Sequence, residues 1–254
     1  MLYKILSNIR KYIRTLLQHL GYEIRKYPSN ISKKIPIFDL VINILENTMK
    51  EIMFIQIGGN DGIYVDPIHK YYVNNQIWKG YVFEPNPEIF EKLTNNLKAI
   101  QTRVFPICKA ISDNDGYDYL LVQNSASREF ASEISSLEKS TFIKQKNIGA
   151  KYKKVKVETC RLVTFCIQNK IQNIDLLQVD TEGHEYRIIM DLNLQLTIPK
   201  IIHLEIGHLN IRKSKKIVAK LQSNGYSLHW GGHDGDLVCI KQQFLDSLGI
   251  AVSN

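Results

Sequence analysis

The chain has 254 residues, of which 44% are apolar and 23% charged. That is room and composition for one substantial α/β domain with a short extension, and it excludes two full-sized enzyme domains or a disordered chain. The net charge of +8 sits almost wholly in residues 1–34, which hold eight basic residues and one acid; the rest of the chain is nearly neutral, which argues against a nucleic-acid-binding face.

Residues 2–20 read as a helix. Leu2, Ile5, Leu6, Ile9, Ile13, Leu16, Leu17 and Leu20 fall in a wedge of about 120°, with Lys4, Arg10, Lys11 and Arg14 outside it. Such a helix packs on the core or a partner, or makes peripheral contact with an anionic membrane surface. The basic residues break any continuous signal-peptide core, and no run nears the roughly 18 apolar residues of a membrane span. Residues 27–36, with Pro28 and Pro36, read as a linker. The expected organisation is a basic extension over 1–36 and one enzyme domain over 37–254. Cys108, Cys160, Cys166 and Cys239 match no zinc or disulfide framework, so reduced thiols and a cytoplasmic location are expected.

A helix over 37–50 leads into an apolar strand, 52–57, of the kind buried on both faces in a parallel sheet. The turn Gly58-Gly59-Asn60-Asp61-Gly62 follows at once. A second strand, 80–84, ends at Glu84; Pro85-Asn86-Pro87 then opens a helix with Asn86 as N-cap. A third strand lies within 103–111. Two strand-like pieces, 117–122 and 154–159, flank a Ser-rich, charged stretch and suggest a hairpin-like insertion. Strands at 174–180 and 200–205, a helix at 211–224, and paired strands at 226–230 and 236–241 complete a doubly wound α/β sheet.

Ligands in such sheets bind beyond the carboxyl ends of the strands. Glycines at 58 and 62 let a ligand approach the backbone. A carboxylate at the end of the second strand, Glu84, can accept from both ribose hydroxyls. The pair implies an adenosine-containing cofactor. Asp61 within the turn is poorly placed for a pyrophosphate but tolerable beside the amino and sulfonium groups of S-adenosylmethionine.

Several segments resemble the FkbM family of methyltransferases. They are Phe54-Ile55-Gln56-Ile57-Gly58-Gly59-Asn60-Asp61-Gly62, Tyr64-Val65-Asp66-Pro67, Phe83-Glu84-Pro85-Asn86-Pro87, Ala110-Ile111-Ser112, and the stretch from Ile174 to Glu185 with Asp180-Thr181-Glu182-Gly183-His184-Glu185 at its end, followed by Pro199 and Glu205. The resemblance spans about residues 50–240. It implies a Rossmann-like, seven-stranded class I methyltransferase sheet of order 3-2-1-4-5-7-6, with S-adenosyl-L-methionine as cofactor and O-methylation of a sugar, glycan or natural-product hydroxyl. By resemblance, Gly58, Asp61 and Gly62 line the methionine side, Glu84 holds the ribose, and Ala110 and Ile111 lie near the adenine; Asn60 and Pro85 complete the expected cofactor set. Gly59, where the family often has Ala, and His184-Glu185, where an aromatic and Asp are frequent, depart from the pattern.

An alcohol needs its proton removed to attack a methyl group, so a general base is expected beside the cofactor. Asp180, at the end of the strand next to the first, is the leading candidate, with helix N-capping as its structural alternative. Glu182 and His184 can both line the turn that follows, and Glu205 ends the next strand. No metal is expected: His203, Glu205 and His208 match no zinc spacing, and a hard cation such as Mg²⁺ held by Asp180 and Glu205 with waters is the weaker alternative. Two other readings are a NAD-dependent oxidoreductase and a non-catalytic interaction module; the first lacks a convincing Tyr-x-x-x-Lys pair, and an intact Glu84 and Asp180 weigh against the second.

Overall fold

The computed structural model describes residues 37–64, 66–124, 135–137, 151–207, 209–230 and 236–248. The expected basic extension, His208, the turn at 231–235 and most of the 123–153 loop lie outside the described residues. Among the described residues, no helix is long and apolar enough to cross a membrane.

Helix α1 (Ile37–Thr48) precedes strand β1 (Ile52–Ile57), and helix α2 (His69–Asn74) precedes β2 (Trp78–Phe83). Helix α3 (Pro87–Leu97) starts as its sequence demands: the Asn86 side chain accepts from the Glu88 N–H and Pro87 occupies the first turn, where its missing N–H is not needed. Next come β3 (Val104–Ile107), β4 (Ala110–Ser112), β5 (Gly116–Asn124), β6 (Ser135–Ser136), β7 (Lys151–Arg161) and α4 (Leu162–Gln168). The chain continues through β8 (Ile174–Val179), α5 (Glu185–Asp191), β9 (Pro199–Glu205), α6 (Ile211–Ser223), β10 (Tyr226–Trp230), β11 (Asp236–Lys241) and α7 (Gln242–Ser247).

Seven strands form one sheet of order β3-β2-β1-β8-β9-β11-β10. Counted along the chain within that sheet alone, the order is 3-2-1-4-5-7-6. Strands β3, β2, β1, β8 and β9 pair in parallel, and β11 runs antiparallel to both β9 and β10. Burial on both faces explains the apolar runs. On β1, Ile55 and Ile57 enter the core shared with Leu177, Val179, Ile202 and Leu204, whereas Ile52 and Phe54 enter the opposite core with Leu45, Leu176 and Ile201.

The single strand expected within 103–111 is two strands in two sheets. After β3 the chain leaves the main sheet at Cys108 and Lys109, and β4 pairs in parallel with β7. The expected insertion arms are β5 and β7, antiparallel from Gly116↔Thr159 to Asn124↔Lys151. With β4 and β6 they make a second sheet of order β4-β7-β5-β6. Its small core of Ala110, Leu120, Val122 and Val157 draws on β4, β5 and β7 together, so local pattern alone could not reveal it.

Candidate active site

The site forms where β1, β2 and β8 end side by side. The N–H groups of Gly58 and Gly59 both donate to the Phe83 carbonyl, at 3.0 and 2.9 Å, and the Asp180 N–H donates to the Ile57 carbonyl at 2.9 Å. Gly58 has φ +86°, and a β-carbon there would lie 1.7 Å from the Asp180 carbonyl oxygen. Only glycine lets the first strand turn this close to the fourth. Gly59 is also tightly held: a β-carbon would fall 2.1 Å from Val82 Cγ1.

A cleft opens above this junction. Of the residues expected at the cofactor, Gly58, Asn60, Glu84, Pro85, Ala110 and Ile111 line it; of those expected at the chemistry, Asp180, Glu182 and His184 line it too. Asp61 and Gly62 do not. The Asp61 carboxylate is turned into its own loop, accepting from the Ile63 and Tyr64 N–H groups at 2.9 and 2.8 Å. Gly62 faces α3, where a β-carbon would meet Leu93 Cδ1 at 2.6 Å. Both shape the turn, and neither is among the residues that line the cleft.

Glu84 is 5% exposed. Its Oε2 accepts from the Asn60 N–H at 3.1 Å and its Oε1 from the Asn86 N–H at 2.8 Å. Burial outweighs these two bonds and pushes its carboxyl up to about 7. Each oxygen keeps acceptor capacity toward the cleft. Asn60, at φ +47°, adds a buried Oδ1 that has no hydrogen-bond partner among the described residues. A desolvated carboxylate and an unused acceptor in one cleft fit a ligand rich in donors, such as ribose hydroxyls and an ammonium group. Phe83, Ala110, Ile111 and Leu120 give the cleft apolar walls suited to a flat base.

Residues 180–185 form the opposite wall. Asp180 does not cap the following helix, whose N-cap position is His184. Instead Glu185, fully buried, organises the turn: its carboxylate accepts from the Thr181 N–H at 2.7 Å, the Thr181 hydroxyl at 2.9 Å and the Gly183 N–H. Glu182 sits at φ +54°, and its carbonyl accepts from the Ser136 hydroxyl at 2.8 Å. His184 is 1% exposed, with Nε2 3.0 Å from Ser112 Oγ. So the second sheet, through Ser112 and Ser136, braces the turn that carries the candidate base.

Asp180 is held well above the usual carboxylate range by burial first, then by its neighbours Glu205, Glu182 and Glu185. Asp180, Glu182 and Glu205 each bring a carboxylate oxygen within 4.8 Å of the others. Three acids alone do not define a cation site, and we assign none. Sequence reasoning missed Lys109, Thr181, Ser136 and Leu137 as cleft residues and Glu185 as the organiser of the turn. Ser136 and Leu137 reach the cleft only through the pairing of β6 with β5, which no local signal announces.

A sheet of this order, with a glycine turn after its first strand and an acid ending its second, defines a class I S-adenosylmethionine-dependent methyltransferase. Residues 56–228 match the family model described as the methyltransferase FkbM domain, and the chain belongs to that family. Its cofactor is S-adenosyl-L-methionine. The oxidoreductase and non-catalytic alternatives give way to this membership.

Among solved structures, the chain is similar to a precorrin-6y C5,15-methyltransferase from Geobacter metallireducens GS-15, with 13% identity, TM-score 0.41, and coverage of 85% of this chain and 93% of that one. It is similar to a human methyltransferase 10 domain containing protein at 12% identity and TM-score 0.43, covering 92% and 97%. Fibrillarin from Aeropyrum pernix, in complex with natively bound S-adenosyl-L-methionine, gives 10% identity and TM-score 0.41, covering 75% and 66%. No curated protein matches the chain.

Proposed function

We propose that this methyltransferase acts on oxygen, methylating a hydroxyl of a glycan, sugar or natural-product acceptor. The observation that carries the reading is Asp180: a carboxyl facing the cofactor cleft, crowded by acids and desolvated, so that its proton affinity is raised toward that of a useful general base. A hydroxyl nucleophile needs such a group; a neutral amine or a thiolate does not.

When bound, S-adenosylmethionine supplies an activated methyl group on a sulfonium. The chain's own residues then have four tasks. Glu84 accepts from the ribose hydroxyls, and Asn60 Oδ1 from a further donor of the cofactor. Phe83, Ala110 and Ile111 wall the adenine, with Pro85 at the rim. Gly58 keeps the backbone low so that the cofactor lies against it. Asp180 orients the acceptor hydroxyl and takes its proton, with His184 and Glu182 beside it in the same turn. Holding donor and acceptor in line supplies much of the acceleration.

The test uses purified protein with methyl-labelled S-adenosylmethionine and a panel of free and carrier-linked sugars. The expected product is a methylated acceptor whose label survives alkaline hydrolysis, as an ether does. Label released by alkali marks a methyl ester and overturns the hydroxyl reading, as does transfer confined to amines.

The basic, amphipathic pattern of residues 2–20 supports a second element of the reading, that acceptor and enzyme meet at an anionic membrane surface. Deleting residues 1–26 should abolish sedimentation with anionic vesicles; unchanged sedimentation removes this element and leaves the hydroxyl reading intact.

A further inference from the structure

Strands β8 and β9 are parallel neighbours with Val179 opposite Leu204, so the next residues, Asp180 and Glu205, leave the sheet side by side. Each brings a carboxylate oxygen within 4.8 Å of the other. Two carboxylates held this close repel when both are ionised, which favours a proton on one of them. Glu205 also has Asp236 of β11 as its cross-strand partner. His203, two residues earlier on β9, points to the same face and lies under the Phe38 ring of α1, with ring centroids 4.0 Å apart. Its Nε2 is 3.3 Å from Asp236 Oδ2. Asp236 thus has an imidazole neighbour of its own. Glu205 instead faces Asp180, which Glu182 and Glu185 approach from the turn and helix that follow.

We infer that Glu205 is a positioning residue for the methyl transfer: with Asp180 it forms one carboxyl–carboxylate pair that holds a single shared proton and receives the acceptor's proton as a unit. The role in transfer rests on the hydroxyl reading above; the pair itself does not. The step balances. The acceptor oxygen forms a bond to the methyl carbon as the sulfur–carbon bond breaks and its electron pair stays on sulfur. The O–H electron pair stays on oxygen, and its proton passes to the pair, which goes from singly to doubly protonated. The positive charge on sulfur and the negative charge on the pair disappear together, so no net charge is left in the cleft. A lone aspartate beside Glu182 and Glu185 would have no fixed direction for its proton; sharing it with Glu205 gives it one.

The experiment is carbon-13 NMR of the full chain with labelled Asp and Glu carboxyl groups, titrated with acid and base, using Asp180→Asn to assign the Asp180 signal. In the wild type the Asp180 signal should follow two steps, the upper one well above the ordinary carboxylate range. In Glu205→Gln the two steps should collapse to one, lower than the upper wild-type step by about one pH unit or more. Glu205→Asp should restore both. A single ordinary carboxylate step in the wild type, or an Asp180 titration unchanged in Glu205→Gln, overturns the proposal. If Glu205→Gln does not fold, the wild-type curve still decides. Stabilisation by S-adenosylhomocysteine, measured on the same samples, reports the cofactor site independently. Two steps together with transfer confined to non-hydroxyl acceptors would overturn the proton-taking role.

Discussion

The backbone carbonyl of Asp180 stands 1.7 Å from where a β-carbon on Gly58 would lie. The glycine turn and Asp180, which line the same cleft, are thus in direct backbone contact, tied further by the Asp180 N–H to the Ile57 carbonyl. Gly58→Ala must both adopt φ +86° and push β8 away. We expect it to lose about 3 kcal/mol or more of stability, together with cofactor binding. Urea unfolding monitored by circular dichroism checks this; a variant within about 1 kcal/mol of the wild type would show that the junction yields easily.

Glu84 gives the protein a pH signature. Its folded-state carboxyl, at about 7, is raised above the unfolded value by burial. Between those two values the folded state holds more proton than the unfolded one. Stability from this group is therefore full at low pH and falls as pH rises through about 7. Ribose hydroxyls donating to the carboxylate would offset that loss. The thermal shift caused by S-adenosylhomocysteine should therefore grow from pH 6 to pH 8 in the wild type and stay flat in Glu84→Gln, whose affinity should fall roughly tenfold or more. Parallel curves for the two proteins would contradict this account.

Asp180→Asn should separate stability from turnover. Asp180 also titrates above its unfolded value, so it withdraws stability as pH rises, and the amide removes one charge from the cluster with Glu182, Glu185 and Glu205. The variant should melt at or above the wild-type temperature, with the gap widening toward alkaline pH. It should still bind S-adenosylhomocysteine and lose methyl transfer by roughly a hundredfold or more. Calorimetry and a transfer assay read the two effects; full turnover removes Asp180 from the proton-taking role.

Glu185 should prove structural. Its buried carboxylate accepts from two backbone N–H groups and one hydroxyl, and Glu185→Ala leaves those donors buried without an acceptor. A loss of about 2–4 kcal/mol follows. Glu185→Gln keeps one accepting oxygen and should lose less. Equal stability of both variants and the wild type in urea would mean that water replaces the carboxylate without penalty.

Much of the site was legible because it is local. Gly58, Glu84 and Asp180 each end or follow an apolar strand, and parallel strands buried on both faces announce themselves as continuous apolar runs. The direction of the Asp61 side chain was not legible: the same carboxylate can face a ligand or close its own loop, and the Ile63 and Tyr64 N–H groups hold it in the loop. Nor was the bond of His184 to Ser112, which lies 72 residues away.

By itself, then, the sequence determined the strands of the main sheet, the glycine turn and the acids at the strand ends, since hydrophobic period and turn chemistry are written within a few residues. The tertiary structure decided which of those acids meet. Glu205 lies 25 positions after Asp180 and reaches it only through the β8–β9 register. Ser136 reaches Glu182 only because β6 adds to the edge of a second sheet. Proton affinity and turn geometry depend on such contacts through burial and like charge, and neither is a property of any short stretch of chain.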